Sequence, residues 1–320
     1  MSTAGPLVTI LINNYNYGRF LRDAIDSALN QTYPNTEVIV VDDGSTDDSR
    51  EIIVSYGERV IPVFKRNGGQ ASAVNAGFAA SGGDIVCFLD SDDTWLPQKV
   101  EQVVRAAISH DAAKLIYHRI QRVDALGNHL GQPQPRSLLQ GNIASTVIKS
   151  CGWWDVPPMS ALSFRREYLS AVLNMPEDVY RLHADAYLET LAPLLGEVAG
   201  LGQVLSAYRL HGSNLSNYAA RQRGEYDALI AHLERYATWV TAVNQALRRI
   251  GVGAQLDLAD HYGYQCLKYR LGLPGRLPLA TLSWKALRLP CVPSHWARFK
   301  LLLHLWLERR ASYPPNNNVG

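Results

Sequence analysis

Three short clusters in this chain have the residue types for chemistry on a charged, ring-bearing ligand. They are Asn13-Asn14-Tyr15-Asn16, Asp42-Asp43-Gly44-Ser45-Thr46-Asp47 and Asp90-Ser91-Asp92-Asp93. An aromatic side chain can stack on a flat ring, and a carboxylate can accept a hydrogen bond from a ring N–H. A run of carboxylates suits a hard cation such as Mg²⁺ or Mn²⁺, which is often held by only one or two carboxylates together with substrate phosphates. Taken singly, each acidic cluster reads equally well as a helix cap or an acidic first turn. Their shared position argues otherwise, because each follows an apolar run at the end of a predicted strand.

The elements that would position them alternate in type. Strands are predicted over 7–12, 36–41, 60–64 and 85–89, and helices over 20–29, 47–55 and 71–80, the last opened by Gly68-Gly69. A further helix starts near Pro97, with Val100, Val103, Val104 and Ala107 on its apolar face. Alternation at this spacing specifies a doubly wound α/β sheet, which binds ligands outside the carboxyl ends of its strands. From about 112 to 215 the pattern loosens, with irregular loops at 131–136 and 153–158. Beyond 219 long helical patterns take over, at 226–250 and 256–271, and the tail around 316–318 is expected to fray.

Composition bounds the rest. With 320 residues, 47% hydrophobic and 19% charged, the chain is neither disordered nor fibrous nor a disulfide scaffold. The net charge of +2 argues against a polyanion binder, and no nucleic-acid motif is present. That average hides a split: residues 1–200 carry 16 basic against 23 acidic side chains, and residues 201–320 carry 15 against 6. Cys87, Cys151, Cys266 and Cys291 form no CxxC pair, which points to a reduced, cytoplasmic chain without a zinc site. No secretory leader and no run of about 20 apolar residues is expected.

The segments from Val8 to Asn16, Val40 to Asp47, Asn67-Gly68-Gly69-Gln70 through Asn75-Ala76-Gly77, and Phe88 to Asp93 together resemble the family 2 glycosyltransferases of GT-A fold, in order and spacing. The resemblance extends over about residues 6–215. It implies that Asn13, Tyr15 and Asp43 hold the base of a nucleotide-sugar donor, usually uracil, and that Asn67, Gly69 and Asn75 lie along the ribose and diphosphate. Asp90 and Asp92 would be the family's DXD pair, with Ser91 between them, the first facing the ribose and the second an Mn²⁺ or Mg²⁺ ion. Asp93 competes for the metal. One departure is Asn13, where the family usually has proline.

The same resemblance implies an inverting transfer whose base is a carboxylate at the start of a helix preceding a Tyr-Arg-x-His motif. Tyr208-Arg209-Leu210-His211 supplies the motif and Asp185 stands at the matching upstream spacing, with Glu177-Asp178 as rival. His211 reads as a metal or diphosphate ligand or as a packed loop residue, and Arg209 as structural or pyrophosphate-neutralising. Trp153 and Trp154 are packing anchors before they are acceptor contacts.

Residues 284–310 carry six basic side chains against the single acid Glu308, interleaved with Trp284, Trp296, Trp306 and several leucines. Such a segment packs on its own protein or lies peripherally on an anionic membrane, here the inner face. The expected organisation is a catalytic domain over 1–215, with a nucleotide-binding half to 112 and an acceptor-side half from 113, then a helical region over 216–320. The expected activity is metal-dependent transfer of a sugar, from a UDP-linked donor, to a hydroxyl of a saccharide or lipid-linked acceptor. The rival is a non-catalytic nucleotide-sugar-binding or membrane-docked assembly subunit. A nicotinamide-dependent dehydrogenase is excluded because no GxGxxG follows the first strand.

Overall fold

A computed structural model describes residues 5–212, 214, 225–289 and 298. Its backbone divides into two compact units. One comprises Met1–Ile143 with Val156–Asn214, and the other Ala144–Asp155 with Leu215–Gly320.

The first unit opens with the expected alternation: β1 (Val8–Asn14), α1 (Gly18–Leu29), β2 (Thr36–Asp42), α2 (Ser49–Ser55), β3 (Ile61–Phe64), α3 (Gln70–Ala80), β4 (Ile85–Asp90), the two-residue β5 (Thr94–Trp95) and α4 (Lys99–Ser109). There follow β6 (Ala113–Val123), α5 (Ala144–Lys149, part of the second unit), β7 (Leu162–Arg165), α6 (Arg166–Val172), α7 (Ala184–Leu195) and β8 (Glu197–Arg209). Val8, Ile10, Leu11 and Ile12 are fully buried because helices cover both faces of the sheet at β1. Strand order is β3-β2-β1-β4-β7-β6-β8-β5. Strands β1 to β4 run parallel, and β7 enters antiparallel between β4 and β6. Register sets Asn14 beside Asp42 and Asn13 beside Asp90, so the ends of β1, β2 and β4 meet at one rim.

Two sequence expectations need correction. Pro97 does not open the fourth helix: it lies in a preceding turn, and α4 begins at Lys99, where the Gln31 side chain accepts from the Val100 N–H. The helix expected over 256–271 is shorter. In the second unit α8 (Glu225–Ile250) is followed by non-helical backbone, because the Asn244 side chain accepts from the Leu256 N–H and donates to its carbonyl. His261 then caps α9 (Tyr262–Arg270) by accepting from the Tyr264 N–H at 3.0 Å.

Helix α10 (Leu279–Arg288) buries Leu282 and Ala286. Trp154 is buried and Trp153 is 37% exposed. No helix among the described residues is long and apolar enough to cross a membrane. Most of the basic segment over 284–310, and the tail around 316–318, lie outside the described residues.

Candidate active site

The loops after β1 and β2 are knitted together by side chains. Asn14 donates from Nδ2 to Asp42 Oδ1 and Ser45 Oγ, both at 3.1 Å, and the Asn16 N–H donates to the same Ser45 oxygen at 2.9 Å. Asp47 accepts from the Gly18 and Ser49 N–H groups and so caps the starts of α1 and α2. Half of the second acidic cluster is therefore scaffold. What the scaffold presents is Tyr15, 37% exposed.

Asp43 is buried and occupied. It accepts from Lys65 Nζ at 2.6 Å, from the Gly68 N–H at 2.9 Å and from the Gly69 N–H at 2.7 Å. Its charge anchors the loop between β3 and α3. Asn13, beside Asp90 in register, has both side-chain amide atoms buried with no hydrogen-bond partner among the described residues.

In the turn after β4 the acidic residues divide the work. Asp93 is 1% exposed; its Oδ2 accepts from Ser160 Oγ at 2.6 Å and its Oδ1 from the Arg209 N–H at 2.8 Å. The Ser160 hydroxyl oxygen also accepts the Asp90 N–H at 3.0 Å, so one serine ties the strand end to the turn. Asp92 Oδ2 receives His211 Nε2 at 3.0 Å and Asn214 Nδ2 at 3.2 Å. Ser91 is buried in the turn and presents almost no surface to a ligand.

The Tyr-Arg-x-His segment closes directly over this turn. Arg209 donates from Nε to the Asp92 carbonyl, pairs with Asp23 at 3.0 Å and lies over the Phe20 ring. Of the two roles the sequence left open for it, the structural one is what these contacts describe. Arg19 Nη2 stands 3.1 Å from His211 Nδ1. Arginine only donates, so Nδ1 is the acceptor and the imidazole proton sits on Nε2, directed at Asp92.

Negative charge is concentrated here. Burial, then the neighbouring charges of Asp92 and Asp185, push the Asp90 carboxyl well above the usual carboxylate range. Burial, then Asp92 and Asp90, do the same to Asp93, despite its hydrogen bonds to Ser160 and Arg209. Burial raises the Tyr208 phenol too, with Asp93, Asp90, Asp92 and Asp185 all contributing. No three His, Cys, Asp or Glu side chains form a ready-made metal cage among the described residues. The donor set nonetheless fits a divalent cation: hard oxygen ligands whose mutual repulsion a cation would relieve.

Asp185 lies in the first turn of α7, where the helix dipole favours a carboxylate. Its Oδ1 accepts from the Ala186 N–H at 3.0 Å. The residue before the helix, His183, has left-handed backbone with φ 62°. The segment before it is laced to α3. Gln70 accepts from the Ala184 N–H, and Asn75 accepts from the Met175 N–H while donating to the Met175 carbonyl and to Glu177. The Asn75 amide thus holds the Met175 backbone and the Glu177 side chain. Asn67 Oδ1 accepts from Arg181 Nη2 at 2.7 Å. Of the rival acids, Glu177 accepts from Asn75 and Asp178 is exposed.

The structure therefore gathers Asp90, Asp92, Asp93, Asp185, Tyr208 and His211 at one rim, with Asn13, Tyr15, Asp43, Asn67 and Gly69 on the loops of the neighbouring strands. Sequence reasoning missed the parts played by Ser160, Gln70, Arg181 and Arg19. Arg19 carried a signal, since a cation in the first turn of a helix opposes the dipole and calls for another purpose.

Comparison with known proteins identifies the family and the fold. Residues 9–167 match the family model for glycosyl transferase family 2. An uncharacterised glycosyltransferase of Nostoc sp. is 35% identical over 268 residues, 82% of each chain. Among solved structures, TarS residues 1–349 of S. aureus in complex with UDP-GlcNAc superposes with TM-score 0.55 at 16% identity, covering 96% of this chain and 93% of that one. The mannosyltransferase PcManGT of Pyrobaculum calidifontis, in complex with GDP-Man and Mn²⁺, gives TM-score 0.53 at 16% identity, with 97% and 88% covered. These two share the fold. With the Nostoc relative matched along most of both chains, this chain belongs to the family 2 glycosyltransferases of GT-A fold.

Proposed function

We propose that the protein transfers a sugar, with inversion, from a UDP-linked donor to a hydroxyl of a saccharide or lipid-linked acceptor. The observation that carries this reading is that β1, β2 and β4 end at one rim, where Asp92 is held by His211 and Asn214 of the segment that follows Tyr208-Arg209, with Asp185 in the first turn of α7. In this reading Asp185 is the proton acceptor and the turn after β4 the cation-binding group of one reaction centre. Asn13, Tyr15 and Asp43 would bracket the base, as the family motifs imply.

The acceptor hydroxyl would attack the anomeric carbon as Asp185 takes its proton, and the nucleoside diphosphate would leave with the electron pair of the broken C–O bond. Such a base contributes roughly 10²–10⁴-fold to rate. An Mn²⁺ or Mg²⁺ ion at this turn would supply charge stabilisation to the departing diphosphate. What supports Asp92 over Asp93 as its holder is the spending of both Asp93 oxygens on Ser160 and Arg209, while Asp92 Oδ1 has no such bond among the described residues. His211, 3.0 Å from the same carboxylate, would aim Asp92 or hold the ion beside it.

Peripheral contact with an anionic membrane belongs to the same reading. What supports it is α10, which exposes Trp284 (53%) and Leu287 (50%) next to Lys285 and Arg288.

Calorimetric titration with UDP and with GDP, each with and without Mn²⁺, tests the proposal. Metal-dependent UDP binding is expected. A folded protein that binds neither nucleotide would leave the motifs as scaffold and favour the non-catalytic assembly subunit.

A further inference from the structure

A glycine pair opening a helix is where backbone N–H groups ordinarily receive phosphate. In this protein that position is closed. The Gly68 and Gly69 N–H groups donate to Asp43 at 2.9 and 2.7 Å. The Gln70 N–H donates to the Arg181 carbonyl at 2.9 Å and the Ala71 N–H to the Tyr180 carbonyl at 3.0 Å. All four donors are spent inside the protein. The glycine at 69 is required by the same approach: with φ at +90°, a Cβ there would stand 2.7 Å from Arg181 Cα and 2.8 Å from its carbonyl oxygen.

The segment that covers these N–H groups brings a cation in their place. Arg181 Nη2 donates to Asn67 Oδ1 at 2.7 Å, which holds the guanidinium at the glycine loop. The side chain is exposed, and no acid pairs with it among the described residues. A guanidinium has five N–H donors in a fixed fork that matches phosphate oxygens. Four residues further along lies Asp185, and the backbone between them is fixed by Gln70 at Ala184.

We propose that Arg181 binds the diphosphate of the nucleotide-sugar donor, taking the place of the α3 N–H groups that the fold has consumed. This rests on the glycosyltransferase reading above. As the anomeric C–O bond breaks, its electron pair stays on the diphosphate, so the same guanidinium meets the growing charge of the leaving group. Because Arg181 and Asp185 share one short segment, the group that holds the diphosphate and the group that takes the acceptor proton are placed together.

The test compares UDP with uridine, which lacks the diphosphate. Both are titrated against wild type, Arg181→Gln and Arg181→Lys in the presence of Mn²⁺, by calorimetry for UDP and ligand-observed NMR for uridine. Loss of a charge-assisted contact should weaken UDP about tenfold or more in Arg181→Gln, with partial recovery in Arg181→Lys. Uridine should bind all three alike. Equal weakening of both ligands would mark Arg181 as a purely structural residue and overturn the proposal, as would unchanged UDP affinity. If wild type binds neither ligand, the donor reading itself fails and this inference goes with it.

Discussion

Asp92 Oδ2 accepts the Nε2–H of His211 at 3.0 Å, joining two residues 119 positions apart. Asn214 reaches the same oxygen and Arg19 fixes the other ring nitrogen. One carboxylate of the turn is thereby aimed by partners from the far end of the domain. Its neighbour Asp93 is buried as a structural post.

That division predicts opposite consequences for two adjacent substitutions. Asp92→Asn should abolish Mn²⁺-dependent UDP binding while the melting temperature stays near wild type. Asp93→Asn places an amide against the Arg209 N–H or the Ser160 hydroxyl and should cost about 1–3 kcal/mol of stability. His211→Ala, which leaves Asp92 unaimed, should weaken the metal-dependent binding roughly 10–100-fold. Calorimetry and thermal denaturation on the three variants check this, and the reverse pattern would move the metal role to Asp93.

Asp185→Asn should leave UDP affinity intact while transfer, or hydrolysis of the UDP-sugar, falls roughly 10²–10⁴-fold. Asp178→Asn should turn over almost normally, since that side chain is exposed. A near-normal rate in the first variant and a collapse in the second would transfer the base role to Asp178.

Gly69→Ala forces a side chain into the Arg181 backbone at a left-handed position. Strain there is worth about 1–3 kcal/mol. Relief by lifting the 175–184 segment would displace both Arg181 and Asp185. Donor affinity and turnover should therefore fall together, whereas Gly127→Ala, with open space around it, should leave both unchanged.

Acid sensitivity should trace partly to His118. Burial, then the nearby Lys99, pushes this imidazole down to about 3. Its Nδ1 is 2.9 Å from the Arg119 carbonyl, and its Nε2 has no partner among the described residues. Unfolded, the side chain would take a proton near pH 6.5. Between that pH and about 3 the unfolded chain binds more protons than the folded one, so stability falls as pH falls. The slope is about 1.4 kcal/mol per pH unit for each such histidine. His261, lowered to about 4 by burial and then by His232, adds to it in the second unit. Urea midpoints at pH 7 and pH 5 should converge in His118→Gln relative to wild type; an unchanged difference would clear His118.

If α10 meets a membrane, Trp284→Ser with Leu287→Ser should reduce binding to vesicles containing anionic lipid without altering UDP affinity. Both side chains are about half exposed, so the fold should tolerate their loss. Equal binding by variant and wild type in co-sedimentation would remove this face from consideration.

Much of this molecule is written locally. Continuous apolar runs such as Ile10-Leu11-Ile12 and Ile85-Val86-Cys87-Phe88-Leu89 have only one economical use, strands buried on both faces. The polar clusters that follow them must then emerge at one rim, because parallel strands share their carboxyl ends. The rim position of Asp90 and Asp92 was legible for that reason, and the order and spacing of the clusters made the family legible; Asp185, in the first turn of α7, came only from the family resemblance.

What no local pattern contained is how the carboxylates share their partners. Asp92 and Asp93 are adjacent acids of one type. Only the arrival of Ser160 from before β7, and of Arg209, His211 and Asn214 from β8 and beyond, spends both oxygens of Asp93 and a single oxygen of Asp92. Asn75 and Gly69 show the same limit: nothing in their motif reveals that both meet the 175–184 segment, which chain folding alone lays across α3. Hydrogen-bond satisfaction of buried groups is a property of the assembled interior, and side chains more than a hundred residues away decide it.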